Sequence, residues 1–155
     1  MQLENLGFDD LDELYQEIIL DHYKRPRNND LVDDPDLSAE GFNPFCGDRI
    51  VFTAQKDDSE HIIKVGFQGE GCSISQASAS IMTGLLKGKT ENEASAMAAL
   101  FRELLNGGDI EEAALENLGD LAALKGVRNF PIRIKCALLA WSTLLDALKD
   151  KTKNQ

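Results

Sequence analysis

The sequence predicts an α+β domain in which helices pack on one face of a small antiparallel β-sheet. Three observations lead to this fold class: an amphipathic helical pattern comes first, two β-branched segments around a short polar turn follow, and helical patterns fill the remainder. Helices and strands therefore occupy separate blocks of the chain, as in α+β domains. A chain of 155 residues has the usual length of one domain, so we assign residues 1–155 to a single unit.

The first predicted helix covers residues 9–24, where apolar side chains recur at three- and four-residue spacing. Asp9-Asp10 can cap its start, and Pro26 ends it. His22 lies on the apolar face, where a buried histidine with hydrogen-bond partners is a more common role than a metal ligand. Residues 27–41 are polar, contain proline and have no periodicity, which predicts an irregular, mobile connection.

A β-hairpin is predicted next. Residues 48–55 and 61–67 are β-branched and partly alternating, and the polar sequence KDDS lies between them. The sequence GEGC, residues 69–72, then predicts a tight turn into an Ala/Ser-rich helix that starts at Ser73. The small side chains of that helix favour close packing.

Capping signals divide the rest of the chain into further helices. Thr90 with Glu93, and Asp109 with Glu112, both fit the capping box of a helix start, and two glycines separate the two segments.

The last predicted helix has the clearest signals. Asn129 can cap it and Pro131 fits its first turn. The helix carries an apolar stripe of Ile134, Leu138, Trp141, Leu145 and Leu148. After it, residues 149–155 are predicted to form a polar tail.

The charge balance excludes some partners. A net charge of −11 argues against binding to nucleic acid. No apolar run is long enough to span a bilayer, and no basic segment leads into an apolar run at the N-terminus, so we expect a cytoplasmic protein without a membrane partner. One local reversal is the acid-free basic sequence KGVRNFPIRIKC, residues 125–136, which ends in a cysteine.

The three cysteines, Cys46, Cys72 and Cys136, form an odd set that does not suggest a disulfide framework. Each lies at a predicted element terminus rather than within an apolar stripe. Asp48 lies two residues after Cys46, so in an extended backbone both side chains point to the same side. The sequence leaves two alternatives open, which are three unrelated core thiols and one shared metal site.

A shared site would have three thiolates and one carboxylate as ligands. This set suits a tetrahedral Zn²⁺ ion, and it equally suits an iron–sulfur cluster with the aspartate at one corner. Four anionic ligands need compensating charge, for which we single out Arg128, Arg133 and Lys135 in the basic segment before Cys136.

Four sequence blocks together resemble the U-type iron–sulfur cluster assembly proteins, the IscU, SufU and NifU N-terminal family. These blocks are LYQEIILDHYKRPRN (14–28), NPFCGD (43–48), GEGCSISQASASIM (69–82) and RIKCALLAW (133–141), and the resemblance covers nearly the whole chain. It implies a small α+β domain with a metal site at one end, built from Cys46, Asp48, Cys72 and Cys136.

Two departures point to the SufU branch of the family. IscU-type proteins have a histidine where this chain has Lys135, and the stretch between Cys72 and Cys136 is longer here. The resemblance therefore implies a zinc-dependent sulfurtransferase that accepts persulfide sulfur from a cysteine desulfurase, with Cys46 as the mobile acceptor. It would pass that sulfur on to downstream cluster-assembly or apo-acceptor proteins. The alternatives are a scaffold that assembles and transfers a transient [2Fe–2S] cluster, and a purely structural zinc domain.

Overall fold

A computed structural model describes residues 13–44 and 46–153 of the chain. Helix α1 (Glu13–Lys24) precedes strands β1 (Leu37–Asn43), β2 (Asp48–Lys56) and β3 (Ile62–Glu70). The helices that follow are α2 (Ser73–Leu86), α3 (Glu91–Leu105), α4 (Glu112–Asn117), a 3₁₀ helix (Gly119–Asn129) and α5 (Pro131–Lys153). Among these described residues, no helix is long and apolar enough to cross a membrane.

The three strands form one antiparallel sheet in the order β1-β2-β3. Helices α2 and α5 pack on the sheet and on each other, which confirms the predicted fold class. Buried apolar side chains of the sheet and helices form one core, in which Phe101 of α3 packs against Trp141 of α5 with ring centroids 5.8 Å apart.

Strand β1 corrects the prediction that residues 27–41 are irregular, because residues 37–41 belong to it. Its inward-facing side chains are Leu37, Ala39, Gly41 and Asn43, and only the first is a large apolar residue. Helix α5 explains this choice, since a Cβ atom on Gly41 would lie 2.1 Å from Oγ1 of Thr143. A close helix therefore selects small residues, and the usual alternation of large apolar and polar residues is lost.

The remainder of that connection is irregular but anchored to the sheet. The Asn28 carbonyl accepts the Phe67 N–H at 3.0 Å, and the Val32 N–H donates to Oγ1 of Thr53 at 2.9 Å. The connection thus covers the outer edge of β3, and its mobility stays a prediction.

One of the two predicted capping boxes is present and the other is not. The Thr90–Glu93 capping box of α3 is confirmed, with both reciprocal hydrogen bonds present. The second capping box is wrong, because α4 begins at Glu112 itself and no side chain caps it. A capping box needs its glutamate at the third helical position, and here the helix starts too late for Asp109 to reach.

The predicted bounds of the last helix also differ from the structure. Helix α5 begins at Pro131 as predicted, but Asn129 ends the 3₁₀ helix instead of capping α5. The helix continues to Lys153, so the predicted polar tail is mostly helical. Polar residues can lie within a helix, and polarity alone therefore does not end it. The predicted start of α1, with Asp9-Asp10, lies outside the described residues.

Candidate metal centre

The three cysteines and Asp48 come together at one end of the sheet. Cys46 lies in the loop between β1 and β2, Asp48 is the first residue of β2, Cys72 is the N-cap of α2, and Cys136 is in the second turn of α5. Ligand atoms of Cys46, Asp48 and Cys136 all lie within 4.8 Å of one another. The Cys72 sulfur lies 4.0 Å from Oδ2 of Asp48, so it adjoins this group of three from the α2 side.

Three thiols and a carboxylate suit a tetrahedral ion, but the sulfurs of Cys46 and Cys136 are closer together than one bound ion would hold them. Two sulfur atoms bound to one zinc ion at about 2.3 Å are about 3.8 Å apart, and a sulfur and an oxygen ligand are somewhat closer. The sulfur atoms of Cys46 and Cys136 are 3.1 Å apart. A small rotation of the Cys46 side chain in its loop would bring this pair to the required distance, so the donor set is suited to a metal.

Asp48 is buried and contacted from two sides. It is 1% exposed, and its two oxygens have different partners. Oδ1 accepts the backbone N–H of Cys72 at 2.8 Å, and Oδ2 lies 3.3 Å from Nδ2 of Asn43. Gly71 permits this arrangement, because its φ is +139° and a Cβ there would lie 2.1 Å from Oδ1. The turn before Cys72 thus requires glycine for the carboxylate to fit.

Cys72 is predisposed to be a thiolate. A hydrogen bond from Cys136 lowers the pKa of Cys72 to about 6, against the opposing effect of burial, and the Ser75 N–H at the start of α2 adds to the lowering. The same hydrogen bond, together with burial and the contact with Cys46, raises the pKa of the Cys136 thiol well above its usual range. Of these two thiols, Cys136 therefore holds its proton more tightly than Cys72.

Of the three basic residues singled out in the sequence, Arg133 contacts the thiols. Its Nη1 lies 3.6 Å from the Cys46 sulfur and 3.9 Å from the Cys136 sulfur. Burial lowers the pKa of Arg133, but the hydrogen bond to Cys136 and the nearby cysteine charges outweigh it and raise the pKa overall. Arg128 is half-buried in the 3₁₀ helix and Lys135 is exposed on α5. A supporting role for Arg128 and Lys135 therefore stays a prediction.

The sequence reasoning missed Asn43. This residue is 5% exposed, and Nδ2 lies within reach of both Asp48 and the Cys136 sulfur, the latter at 3.5 Å. Its position in the NPFCGD block was visible, but an asparagine before a proline also reads as an ordinary turn residue. Only the fold shows that its side chain points into the site.

Comparison with known proteins shows the family and agrees with the fold. Residues 14–137 match the model of the family described as the NifU-like N terminal domain. The chain belongs to this family. Its resemblance to the U-type iron–sulfur cluster assembly proteins is therefore confirmed.

Two relatives in the NifU-like N-terminal family cover most of both chains. The "Zinc-dependent sulfurtransferase SufU" of Bacillus subtilis is 46% identical over 134 residues, which are 86% of this chain and 88% of the relative. The "Iron-sulfur cluster assembly scaffold protein IscU" of Streptococcus pyogenes is 41% identical over 145 residues, which are 94% of this chain and 89% of the relative. Names from both functional branches of the family thus occur among the similar proteins.

Solved structures of the family share the fold. One from Fervidobacterium islandicum, described as a candidate iron–sulfur cluster assembly scaffold for the SUF system, has a TM-score of 0.79 and 34% identity, covering 85% of this chain and 94% of its own. The N-terminal NifU-like protein of Brucella abortus has a TM-score of 0.82 at 20% identity, covering 97% of this chain and 99% of its own. At that identity the second likeness shows the fold alone.

Proposed function

We propose that this chain is a zinc-bound sulfur acceptor in iron–sulfur cluster assembly, which takes persulfide sulfur from a cysteine desulfurase and passes it on. The observation that carries the proposal is the convergence of three thiols and one buried carboxylate from three separate parts of the chain. Family membership supports the cluster-assembly role, and the name of the Bacillus subtilis relative supports zinc and sulfur transfer.

In this proposal Cys46, Asp48, Cys72 and Cys136 hold the metal. Zinc, when bound, keeps its thiol ligands deprotonated and protects them from oxidation. Cysteine sulfur is the softer ligand and carboxylate oxygen the harder one, so the thiols would bind zinc more strongly than Asp48. Arg133 lies against two of the sulfurs and offsets part of the negative charge that four anionic ligands bring together.

We assign sulfur acceptance to Cys46. Cys136 is fully buried within α5, and Cys72 is held at the start of α2 by the hydrogen bonds of the turn around it. Cys46 is half-buried in a loop rather than in a helix or strand, Gly47 beside it has φ +68°, and its own N–H donates to the Asn43 carbonyl at 3.3 Å. A thiol that must reach another protein's active site is best placed on such a loop.

The transfer step is a thiol exchange. The Cys46 thiolate attacks the terminal sulfur of the desulfurase persulfide, a new S–S bond forms to Cys46, and the old S–S bond breaks. The desulfurase cysteine leaves as a thiolate, while the persulfide proton stays on the transferred sulfur. No external oxidant or reductant is needed, because one persulfide replaces another.

The partners follow from this chemistry. A cysteine desulfurase supplies the sulfur, and a downstream cluster-assembly or apo-acceptor protein receives it. We place the reaction in the cytoplasm, where free thiols stay reduced.

A scaffold for a [2Fe–2S] cluster is the second candidate. It is favoured by the scaffold names of the relatives from Streptococcus pyogenes and Thermotoga maritima. The same four side chains could hold a cluster, with Asp48 as the weaker corner. Metal analysis of the freshly purified protein separates the two, because a cluster adds iron, sulfide and a visible chromophore that zinc lacks.

Serine variants of the three cysteines test the assignment of Cys46. We expect Cys46→Ser to lose stimulation of a cysteine desulfurase while keeping part of its zinc, since three ligands remain. Bound zinc and persulfide formation should be measured for each variant after incubation with desulfurase and cysteine. If Cys46→Ser still accepts sulfur while Cys136→Ser keeps its zinc and does not, the acceptor is Cys136.

A further inference from the structure

We propose that Asn43 is a positioning residue of the metal centre, which fixes Asp48 and Cys136 relative to each other and so sets the affinity for the metal. This inference rests on the proposed function, because it takes these two residues as metal ligands. Asn43 itself carries no ligand role.

The contacts of the Asn43 amide are directed at the site. Its Nδ2 lies 3.3 Å from Oδ2 of Asp48 and 3.5 Å from the sulfur of Cys136. An amide nitrogen carries two hydrogens, so it can donate to both at once. Oδ2 is also the carboxylate oxygen 4.0 Å from the Cys72 sulfur, whereas Oδ1 faces the Cys72 backbone. Asn43 thus holds the oxygen that faces the thiols.

The fold makes this position special. Asn43 and Asp48 are opposite each other across the β1–β2 pair, and helix α5 with Cys136 packs on β1. Asn43 therefore lies where the sheet and the helix meet, and its side chain joins a ligand from each. Hydrogen bonds to metal ligands orient them and typically change metal affinity 10- to 100-fold when they are removed.

Charge explains why an amide suits this position. Three thiolates and a carboxylate repel one another, and donors between them reduce that repulsion. Arg133 serves the Cys46–Cys136 side of the cluster, and Asn43 serves the Asp48–Cys136 side. A second cation beside Arg133 would compete with the metal for the sulfurs. A neutral amide donates hydrogen bonds without that competition.

Asn43→Leu tests the proposal, because leucine has a similar size and no donor. Ser78→Ala is the matched control: Ser78 is fully buried and donates to the Ala137 carbonyl at 2.6 Å, so it also ties a neighbouring element to α5 beside Cys136. The full-length, reduced, metal-free proteins are titrated with Co²⁺, and the thiolate-to-cobalt and d–d absorption bands are recorded. Zinc affinity is then measured by competition with a chromophoric chelator.

For Asn43→Leu we expect a 10- to 100-fold weaker affinity for both metals and shifted d–d bands, since two ligands lose their orientation. For Ser78→Ala we expect a lower melting temperature, unchanged bands and an affinity within about twofold of wild type. Melting curves of the metal-free proteins show whether each variant folds. If Asn43→Leu does not fold, Asn43→Ser, which keeps a polar side chain but cannot span both partners, is used with the same expectation.

Two results would overturn the inference. One is an Asn43 variant that folds and binds both metals as wild type does, and the other is an equal loss in Ser78→Ala. Wild-type protein that binds neither metal through thiolates would instead refute the proposed function, so the two failures are distinguishable.

Discussion

Helix α2 carries a polar cluster near each end, and the two clusters differ in whether the protein alone can satisfy them. At its N-terminus, Cys72 faces Asp48 and Cys136, which are acceptors or acids like itself. Near its C-terminus, Ser80 and Thr83 face donors and acceptors of the α1 end and the connection that follows. A cluster of acidic groups favours a bound cation, whereas a cluster of matched donors and acceptors is a structural joint.

The joint, which consists of His22, Arg27, Asn28, Ser80 and Thr83, is well matched. Oγ of Ser80 accepts the Arg27 N–H at 2.9 Å and lies 2.7 Å from Nδ1 of His22. Oγ1 of Thr83 accepts from Nδ2 of Asn28 at 3.0 Å and donates to the Ser80 carbonyl at 2.7 Å. Asn28 has φ +54°, a conformation that asparagine tolerates better than most residues. The interpretation of His22 as a buried, hydrogen-bonded residue is confirmed.

The largest effect should come from removing the metal. If the four ligands bind zinc, they tie β2, α2 and α5 together, and metal at 1,000 times its Kd adds about 4 kcal/mol of stability. For a domain of this size that is roughly 10 °C in melting temperature. Scanning calorimetry before and after chelation should show this loss. An unchanged melting temperature after proven metal removal would mean that the metal does not link these elements.

Ser80→Ala should have the next largest effect, and it should be independent of metal. The variant leaves the part-buried Arg27 N–H and the buried His22 Nδ1 without their partner, which costs about 2 kcal/mol. The free energy of unfolding from urea titrations should fall equally with and without zinc. Ser38→Ala, at an exposed position of β1, is the control and should stay within about 0.5 kcal/mol of wild type. If the loss of stability appeared only in the zinc-bound form, the two clusters would be coupled and the proposed distinction between them would be wrong.

The thiolate of Cys72 gives a third, pH-dependent difference. Because its pKa is lowered to about 6, Cys72 in the metal-free protein is a thiolate above that pH and a thiol below it. Its alkylation rate by iodoacetamide should be nearly flat above about pH 7 and fall about tenfold per unit below pH 6. Peptide mapping by mass spectrometry would assign the rates.

The control for that measurement is Cys136→Ala. Removing the hydrogen bond that contributes most to the lowering should raise the pKa of Cys72, so the rate would fall already between pH 8 and 7. An unchanged profile in this variant would show that the start of α2, rather than Cys136, determines the thiolate.

The smallest effect should come from His22. Burial lowers its pKa, the charge of Arg27 adds to this, and Asp120 opposes it. The unfolded chain therefore takes up a proton first, near pH 6.5, and the contribution of His22 to stability, full above that pH, is lost as the pH falls below it. The free energy of unfolding of the metal-free protein, measured from pH 7.5 to 5.5, should fall less steeply for His22→Gln. An equal slope would assign the pH dependence to other groups.

The sequence predicted the fold class and the helices and strands with strong periodicity, but not the elements shaped by close packing. The hairpin of β2 and β3 and helix α3 carried local signals that tertiary contacts reinforce. Strand β1 has no such local signal. Helix α5 lies so close to it that small residues, Ala39 and Gly41, occupy its inward face. The 3₁₀ helix before α5 was also not predicted, although its buried residues Leu121, Leu124 and Val127 recur at the three-residue period of such a helix.

For the site, the residue types were visible and the distances were not. Cysteines at element termini favoured a shared centre, yet Cys136 is 90 residues from Cys46, and only the packing of α5 on the sheet brings their sulfurs within 3.1 Å. Arg133 follows from its place three residues before Cys136 on one helix face. Asn43 could not be inferred in the same way, because its role depends on the β1–β2 register.

The central claim is that the cluster at the start of α2 binds one metal ion through three sulfurs and one oxygen, while the cluster near its end binds none. X-ray absorption at the zinc edge of the purified protein, with metal content measured on the same sample, tests it most directly. We predict one zinc ion per chain with three sulfur neighbours at about 2.3 Å and one oxygen neighbour at about 2.0 Å. Zinc bound by nitrogen and oxygen without cysteine sulfur, or a protein that holds no metal when purified under reducing conditions, would contradict this account.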